Sequence, residues 1–297
     1  MRLLLLGGTG QVGTEAQALV LPAGVRIFAP PRSAVDLEDS AAVANIIAFE
    51  PWSAVINAAG YTNVDAAESE EAKAIAINAT APSRLAAETG RRRIPLIHIS
   101  TDYVFDGRKG APYVENDAPA PLNAYGRSKL AGERGVHNAN PRHVILRTAW
   151  VYSPYGKNFV KTILRLTQER DRLTIVADQR GCPTAARDIA KACIDIALAC
   201  AAQPERAPYG IYHFAGAGEA TWFEFASAIV QLAAGRTRRS PQVAPIRTID
   251  YPTPAFRPAD ARLDCTKVLR NFDVTMRPWR EALAETINRM LTSTEIA

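Results

Sequence analysis

Tyr125 and Lys129, in the stretch AYGRSKLAG, stand at i and i+4, a spacing that puts a phenol and an ammonium on one face of a helix. That pair suits a proton relay. A phenol with a pKa of about 10 is a poor acid–base group at neutral pH, and a nearby ammonium lowers it by stabilising the phenolate. The same lysine can also hydrogen-bond the ribose of a nicotinamide nucleotide. A Tyr-x-x-x-Lys pair is common by chance, so its weight comes from its companions. The hydroxyls of Ser100 and Thr101, upstream in HISTDYVFDG, are one of them.

The other companion is the start of the chain, where the apolar run RLLLL breaks into GGTGQVG. Gly8 to Gly13 fits GxGxxG, and Gly7, Gly10 and Gly13 fit GxxGxxG. Both registers carry the same chemistry: a turn without Cβ atoms, close backbone approach to a pyrophosphate, and helix amides facing the anion. Placed directly after a buried strand and opening a helix, the motif reads as a dinucleotide site. Cofactor choice is read at the end of the second strand, in VRIFAPPRSAVDLED. No acid stands at its tip, and Arg32 lies just beyond, which favours the 2′-phosphate of NADPH, with NADH as the alternative. An exposed loop arginine is the competing reading of Arg32. Asp36 and Leu37 sit where such folds contact adenine.

The elements that would hold these groups follow a regular rhythm. Apolar strands at residues 2–6, in VRIFAP, SAVINAAG, IPLIHIS and HVILRTAWVY alternate with helices, the first over Thr14 to Val20. DAAESEEAKAIAINATAPSRLAAETG supplies alanine-rich helix and NAYGRSKLAGERGVHNA the helix of the Tyr-Lys pair. Continuous apolar strands alternating with helices imply an α/β fold, a Rossmann-type doubly wound parallel sheet with both faces covered. The rhythm changes after Tyr152. We expect a dinucleotide-binding Rossmann domain over residues 1–150, with 185–203 packing back onto it. Residues 151–184 and 204–297 form a smaller C-terminal substrate-binding lobe. Within the lobe, Thr221 and Glu224 form a capping box, and Pro241 to Pro258 reads as an extended loop.

Composition narrows the class. The chain has 297 residues, 47% hydrophobic and 22% charged, with a net charge of +5. The arginines are scattered with no aromatic-interleaved cluster, so no nucleic-acid partner is expected. MRLLLLGG is too short for a signal peptide or a membrane span, so no membrane partner is expected either. Four cysteines without paired spacing read as reduced thiols, and the expected location is cytoplasmic. His98 lies inside an apolar strand and reads as a satisfied buried histidine. His137, His143 and His213 share no ligand spacing, so no catalytic zinc is assigned.

The Gly-rich first turn, the Ser/Thr closing the fourth strand and the Tyr-x-x-x-Lys pair together resemble the extended short-chain dehydrogenase/reductase family. More narrowly, the chain resembles the dTDP-4-dehydrorhamnose reductases. The stretches that carry this likeness are GGTGQVG, NAAGYTNVDAAESE, INATAP, HISTDYVFDG, PLNAYGRSKLAGE, LRTAWVYSPYGKNFVKT and DQRGCPT, in the family's order. RPADARLD departs from the family's pattern at Ala261, where serine is usual.

The resemblance implies reduction of the C4 keto group of a nucleotide sugar, dTDP-4-dehydro-L-rhamnose, for cell-surface polysaccharide. Tyr125 would donate the proton, Lys129 would tune it and hold the ribose, and Thr101 would orient the substrate oxygen. Gly10, Gln11 and Val12, with Gly7, would meet the pyrophosphate, and Gly60, Tyr61 and Thr62 would line the ribose and nicotinamide side. Asp102, Tyr103 and Trp150 would contact the sugar. Arg257 would bind a nucleotide diphosphate or serve in a structural ion pair. Related 4,6-dehydratases carry Thr-Asp-Glu in this region. Here Tyr103 stands in place of the glutamate, which removes the second acid and favours simple reduction. Some relatives use magnesium at a dimer contact, in which Glu15 would take part; one carboxylate makes no site, so no metal is assigned. A homodimer is the expected assembly. Two alternatives are a reductase of another nucleotide-4-keto-sugar and a non-catalytic regulatory subunit of the methionine adenosyltransferase type.

Overall fold

A computed structural model describes residues 1–292 of the chain. In chain order the first half contains β1 (Arg2–Leu6), α1 (Gln11–Gln17), β2 (Arg26–Phe28), α2 (Ser40–Phe49) and β3 (Ala54–Asn57). It continues through α3 (Glu71–Ile75), α4 (Ala81–Arg91), β4 (Leu96–Thr101), α5 (Ala124–Ala139) and β5 (His143–Thr148). The second half contains β6 (Val151–Tyr152), α6 (Phe159–Glu169), β7 (Arg172–Val176), β8 (Arg180–Gly181), β9 (Thr184–Ala185) and α7 (Ala186–Ala202). After these come β10 (Gly210–His213), β11 (Ala220–Thr221), α8 (Trp222–Ala233), β12 (Gln242–Ile246), α9 (Thr266–Phe272) and α10 (Trp279–Thr292).

Six strands form the main sheet in the order β2-β1-β3-β4-β5-β10, every neighbouring pair parallel. Alternation along each strand sends side chains to opposite faces. Leu3, Leu5, Ile97 and Val144 pack with Ile189, Cys193 and Ile196 of α7. Leu4, Leu6, Val55, Leu96 and Ile145 pack on the other face with Val43, Ile47, Leu85 and Val136 from α2, α4 and α5. That double burial is why β1, β3 and β5 carry unbroken apolar runs. The order reverses between β1 and β3, and the crevice at the carboxyl ends of those strands is where open α/β sheets place ligands.

A second core gathers Val160, Ile163, Leu164, Leu173, Phe225, Ile229, Leu283 and Ile287 from α6, β7, α8 and α10. The capping box at Thr221 and Glu224 starts α8 as expected. Five expectations change. The helix set at Thr14–Val20 begins at Gln11, directly on the glycine turn. HVILRTAWVY is two strands, because Trp150 takes φ +45° and turns the chain so that β6 pairs with β9. The alanine-rich helix is interrupted by a π-helical turn over Ala76–Thr80. The Pro-rich stretch contains β12, whose Pro245 is tolerated in a two-stranded edge pairing with β7. Finally, β10 and α9 return to the main sheet from the segment assigned to the lobe, because Tyr212, Phe214 and Val268 fill the core beside β5. Residues 293–297 of that segment lie outside the described residues. Among the described residues, no helix is long and apolar enough to cross a membrane. All four cysteines are unpaired thiols in the interior.

Candidate active site

Sixteen of the residues singled out above converge on one cavity of about 870 Å³ at the switch point of the sheet. They are Gly7, Gly10, Gln11, Val12, Arg32, Asp36, Leu37, Gly60, Tyr61, Thr62, Thr101, Asp102, Tyr103, Tyr125, Lys129 and Trp150. Arg257 stands outside this lining.

Backbone sterics set the first wall. Gly7 adopts φ +84°, and a Cβ there would lie 2.5 Å from the Ala59 amide nitrogen. A Cβ on Gly13 would lie 2.2 Å from the Gly7 carbonyl oxygen. Of the two registers, the turn therefore depends on Gly7-x-x-Gly10-x-x-Gly13. Gly10 precedes α1 with no side chain capping the first amides, the cradle that a dinucleotide pyrophosphate fits. At the far end Arg32 pairs with Asp36 at 3.3 Å and with Glu38 at 3.2 Å. The Glu38 amide, ahead of Arg32 itself, holds the Asp36 carboxyl below its usual range. Leu37 is buried and supplies an apolar wall.

Sequence reasoning missed Asn78, the residue that joins the next two segments. The π turn points its carboxamide at the loop after β3, where Oδ1 accepts from the Tyr61 amide at 2.8 Å. Its Nδ2 donates to the Tyr61 carbonyl at 2.9 Å and to Ser128 Oγ at 3.0 Å. Ser128 in turn donates to the Tyr125 carbonyl. Gly60–Thr62 and α5 are thus fixed to one side chain. An asparagine inside an alanine-rich helix was the available signal, because asparagine competes with helical hydrogen bonding.

The α5 helix is seated just as firmly. Asn123 caps it by accepting from the Gly126 amide at 2.8 Å, and the Ala124 amide donates to Glu68 at 2.7 Å. A Cβ on Gly126 would lie 2.2 Å from the Tyr103 carbonyl oxygen, so α5 rests directly on the Asp102–Val104 turn. This brings Tyr125 within hydrogen-bonding reach of the Thr101 hydroxyl. Thr101 Oγ donates to Asp102 Oδ1 at 3.0 Å and accepts from the Tyr103 amide at 3.2 Å.

Burial dominates the titration of this cluster. It pushes Tyr125 up to about 12, a shift that the Thr101 hydrogen bond opposes and the Asp102 charge reinforces. It pushes Lys129 down to about 8 against the opposing attraction of Glu133. It raises Asp102 to about 7 despite hydrogen bonds from Thr101 and nearby amides. The net shift runs opposite to the expected lowering by the ammonium, because burial is its largest cause; Lys129 Nζ meanwhile donates to the Ile99 carbonyl at 2.7 Å. Tyr125 is accordingly a protonated phenol, the form a proton donor needs.

The end of the cavity expected to face the sugar is built from side chains. Tyr103 packs edge-on against Tyr125, with centroids 5.7 Å apart. Arg257 reaches Tyr103 and pairs with Asp65 at 2.8 Å. It is both a structural ion pair and a cation beside Tyr103. Trp150 stacks on Trp222 at 3.5 Å with a 6° interplanar angle and also packs close to Gly181. Trp222 also escaped sequence reasoning, since it reads as an ordinary amphipathic helix position.

Behind the site, Glu133 and Arg147 form a buried bidentate pair, with Ser100 Oγ donating to the carboxylate. The arginine inside HVILRT was its signal. His98 is buried as expected but only half satisfied: Nδ1 meets Asn57 at 3.1 Å, and Nε2 has no partner. Burial drives its pKa well down, so it stays neutral. His137 and His143, which the spacing kept apart, meet at 3.4 Å. The magnesium used by some relatives does not fit Glu15. Its carboxylate is buried and accepts from Arg289 at 2.8 Å and from Arg187 at 3.5 Å, so two guanidinium groups stand where a cation would have to bind.

A switch-point cavity with Thr101, Tyr125 and Lys129 at its inner end defines a class, the extended short-chain dehydrogenase/reductases. Comparison with known proteins narrows it. The family model described as RmlD substrate binding domain matches residues 1–292. A dTDP-4-dehydrorhamnose reductase of Sinorhizobium fredii is 44% identical over 282 residues, covering 95% of each chain. That of Salmonella typhimurium is 38% identical across 100% of both chains. The structure of the Bacillus anthracis enzyme, in complex with NADP, superposes with a TM-score of 0.89 at 33% identity, covering 97% of this chain and 99% of the other. The chain belongs to the RmlD family of dTDP-4-dehydrorhamnose reductases.

Proposed function

We propose that the protein reduces the C4 keto group of dTDP-4-dehydro-L-rhamnose to give dTDP-L-rhamnose, using NADPH and, as an alternative donor, NADH. The observation that carries this reading is the meeting of Thr101, Tyr125 and Lys129 in the same cavity as the glycine turn. The relatives named for this reaction, and the NADP complex of one of them, support it.

The cofactor, when bound, supplies the hydride. Gly7, Gly10, Gln11 and Val12 hold its pyrophosphate, Arg32 its 2′-phosphate, and Gly60–Thr62 with Lys129 its ribose. Thr101 turns its one hydroxyl proton from Asp102 to the keto oxygen and orients the carbonyl. As C4 gains the hydride, the carbonyl π electrons move to oxygen, and Tyr125 Oη transfers its proton there. A phenol pushed up to about 12 is protonated at neutral pH, and an alkoxide is basic enough to take that proton. The ammonium of Lys129, one turn along α5, stabilises the phenolate left behind. Tyr103 stands where a second acid would drive water loss, so the sequence of steps ends at the alcohol.

Tyr125→Phe tests the reading. It should lower kcat about a thousandfold while leaving the NADPH dissociation constant within about twofold. Undiminished keto-sugar turnover by that variant rejects the mechanism. We assign the enzyme to the cytoplasm, and cell fractionation measures this. The assembly we expect is a homodimer. Because Glu15 is held by arginines, sedimentation velocity should give the same assembly with EDTA as with magnesium.

A further inference from the structure

Four cations line the cavity: Arg32, Lys73, Lys129 and Lys157. Three already have partners. Arg32 pairs with Asp36 and Glu38, Lys73 with Glu70 at 2.8 Å, and Lys129 donates to the Ile99 carbonyl. Among the described residues Lys157 alone faces the cavity with no carboxylate or carbonyl partner.

Its position is built rather than incidental. The segment Ser153–Asn158 leaves β6 and folds over the glycine turn. Gln11 Oε1 accepts from Ser153 Oγ at 2.9 Å and from Asn158 Nδ2 at 2.9 Å. Asn158 also donates to the Ser153 carbonyl at 2.8 Å, which closes the loop on itself. A Cβ built on Gly156, which has φ +62°, lies 3.4 Å from Gln11 Cγ. The loop therefore rests on the residue that follows Gly10, and Lys157 is the cation it carries to that side of the cavity.

We propose that Lys157 engages the pyrophosphate of the dinucleotide, so that the bound cofactor is clamped between the glycine turn and the Ser153–Asn158 loop. The argument is one of unpaired charge. A dinucleotide brings two negative phosphates to a turn made of glycine backbone, and an unpartnered ammonium on the facing loop supplies the matching charge. The inference rests on the cofactor reading above and adds a residue and a wall to it.

Lys157→Met keeps the length of an exposed side chain and removes its charge. The dissociation constants of NADPH and NADH, measured without sugar nucleotide, should both rise about tenfold, with the melting temperature unchanged. Adenosine 2′-monophosphate, which has no pyrophosphate, should bind the variant and the wild type equally. Lys157→Arg should restore most of the affinity. Unchanged dinucleotide affinity overturns the proposal. So does an equal loss for adenosine 2′-monophosphate, or a loss confined to dTDP-L-rhamnose, which would assign the lysine to the sugar nucleotide. A wild-type protein that bound neither dinucleotide would remove the cofactor reading itself, and the inference with it.

Discussion

The two ends of the cavity are made of different material. The wall we assign to the cofactor pyrophosphate is backbone: Gly7, Gly10 and Gly13 contribute shape because they have no side chains, and α1 begins uncapped. The wall we assign to the substrate is side chain: Tyr103 and Trp150 line it, backed from outside the lining by Arg257 and Trp222. A wall of backbone is damaged by adding atoms. A wall of side chains is damaged by removing them or changing their charge.

The largest effect expected from this contrast is on the backbone wall. In Gly13→Ala the new methyl group overlaps the Gly7 carbonyl, and the turn must open. Titration calorimetry should show NADPH binding weakened about a hundredfold. Near-normal affinity would mean that the turn is not the cofactor wall.

A smaller effect tests the catalytic end, where charge rather than shape decides. Lys129 is pushed down to about 8 by burial, so its ammonium is present below that pH and lost above it. The value of kcat/KM should fall about tenfold per pH unit above pH 8, and Lys129→Arg should flatten that limb at a lower rate. Stability moves the other way. The unfolded chain holds this proton up to the ordinary 10.5, so between pH 8 and 10.5 the lysine's contribution to stability rises with pH. The smallest effect belongs to Arg32, which is exposed and already paired. Arg32→Ala should weaken NADPH about fivefold and leave NADH unchanged. Equal losses for both dinucleotides would assign Arg32 to the adenosine itself.

The same contrast explains what could be read without coordinates. The glycine spacing and the apolar strands are local signals, and they led directly to the parallel sheet and to the turn that opens α1. The Tyr125–Lys129 pair is local too, being one helical turn. Its electrostatics were not legible, because the direction of the Tyr125 shift depends on burial among residues from other segments. Asn78, Trp222 and the Gln11–Asn158 contact were missed for a related reason. Each bridges positions far apart in the chain, and no short pattern records such a meeting. The return of β10 to the main sheet is the same kind of event at the scale of a strand.

The π turn at Ala76–Thr80 sets the shape of the site against the regularity of its helix. A π turn holds one residue more than the α-helix around it and is weaker for that excess. Deleting a single alanine there would remove that excess, with Pro82 still interrupting the hydrogen-bond ladder at the start of α4. The repaired helix would carry Asn78 around its axis, away from Tyr61 and Ser128.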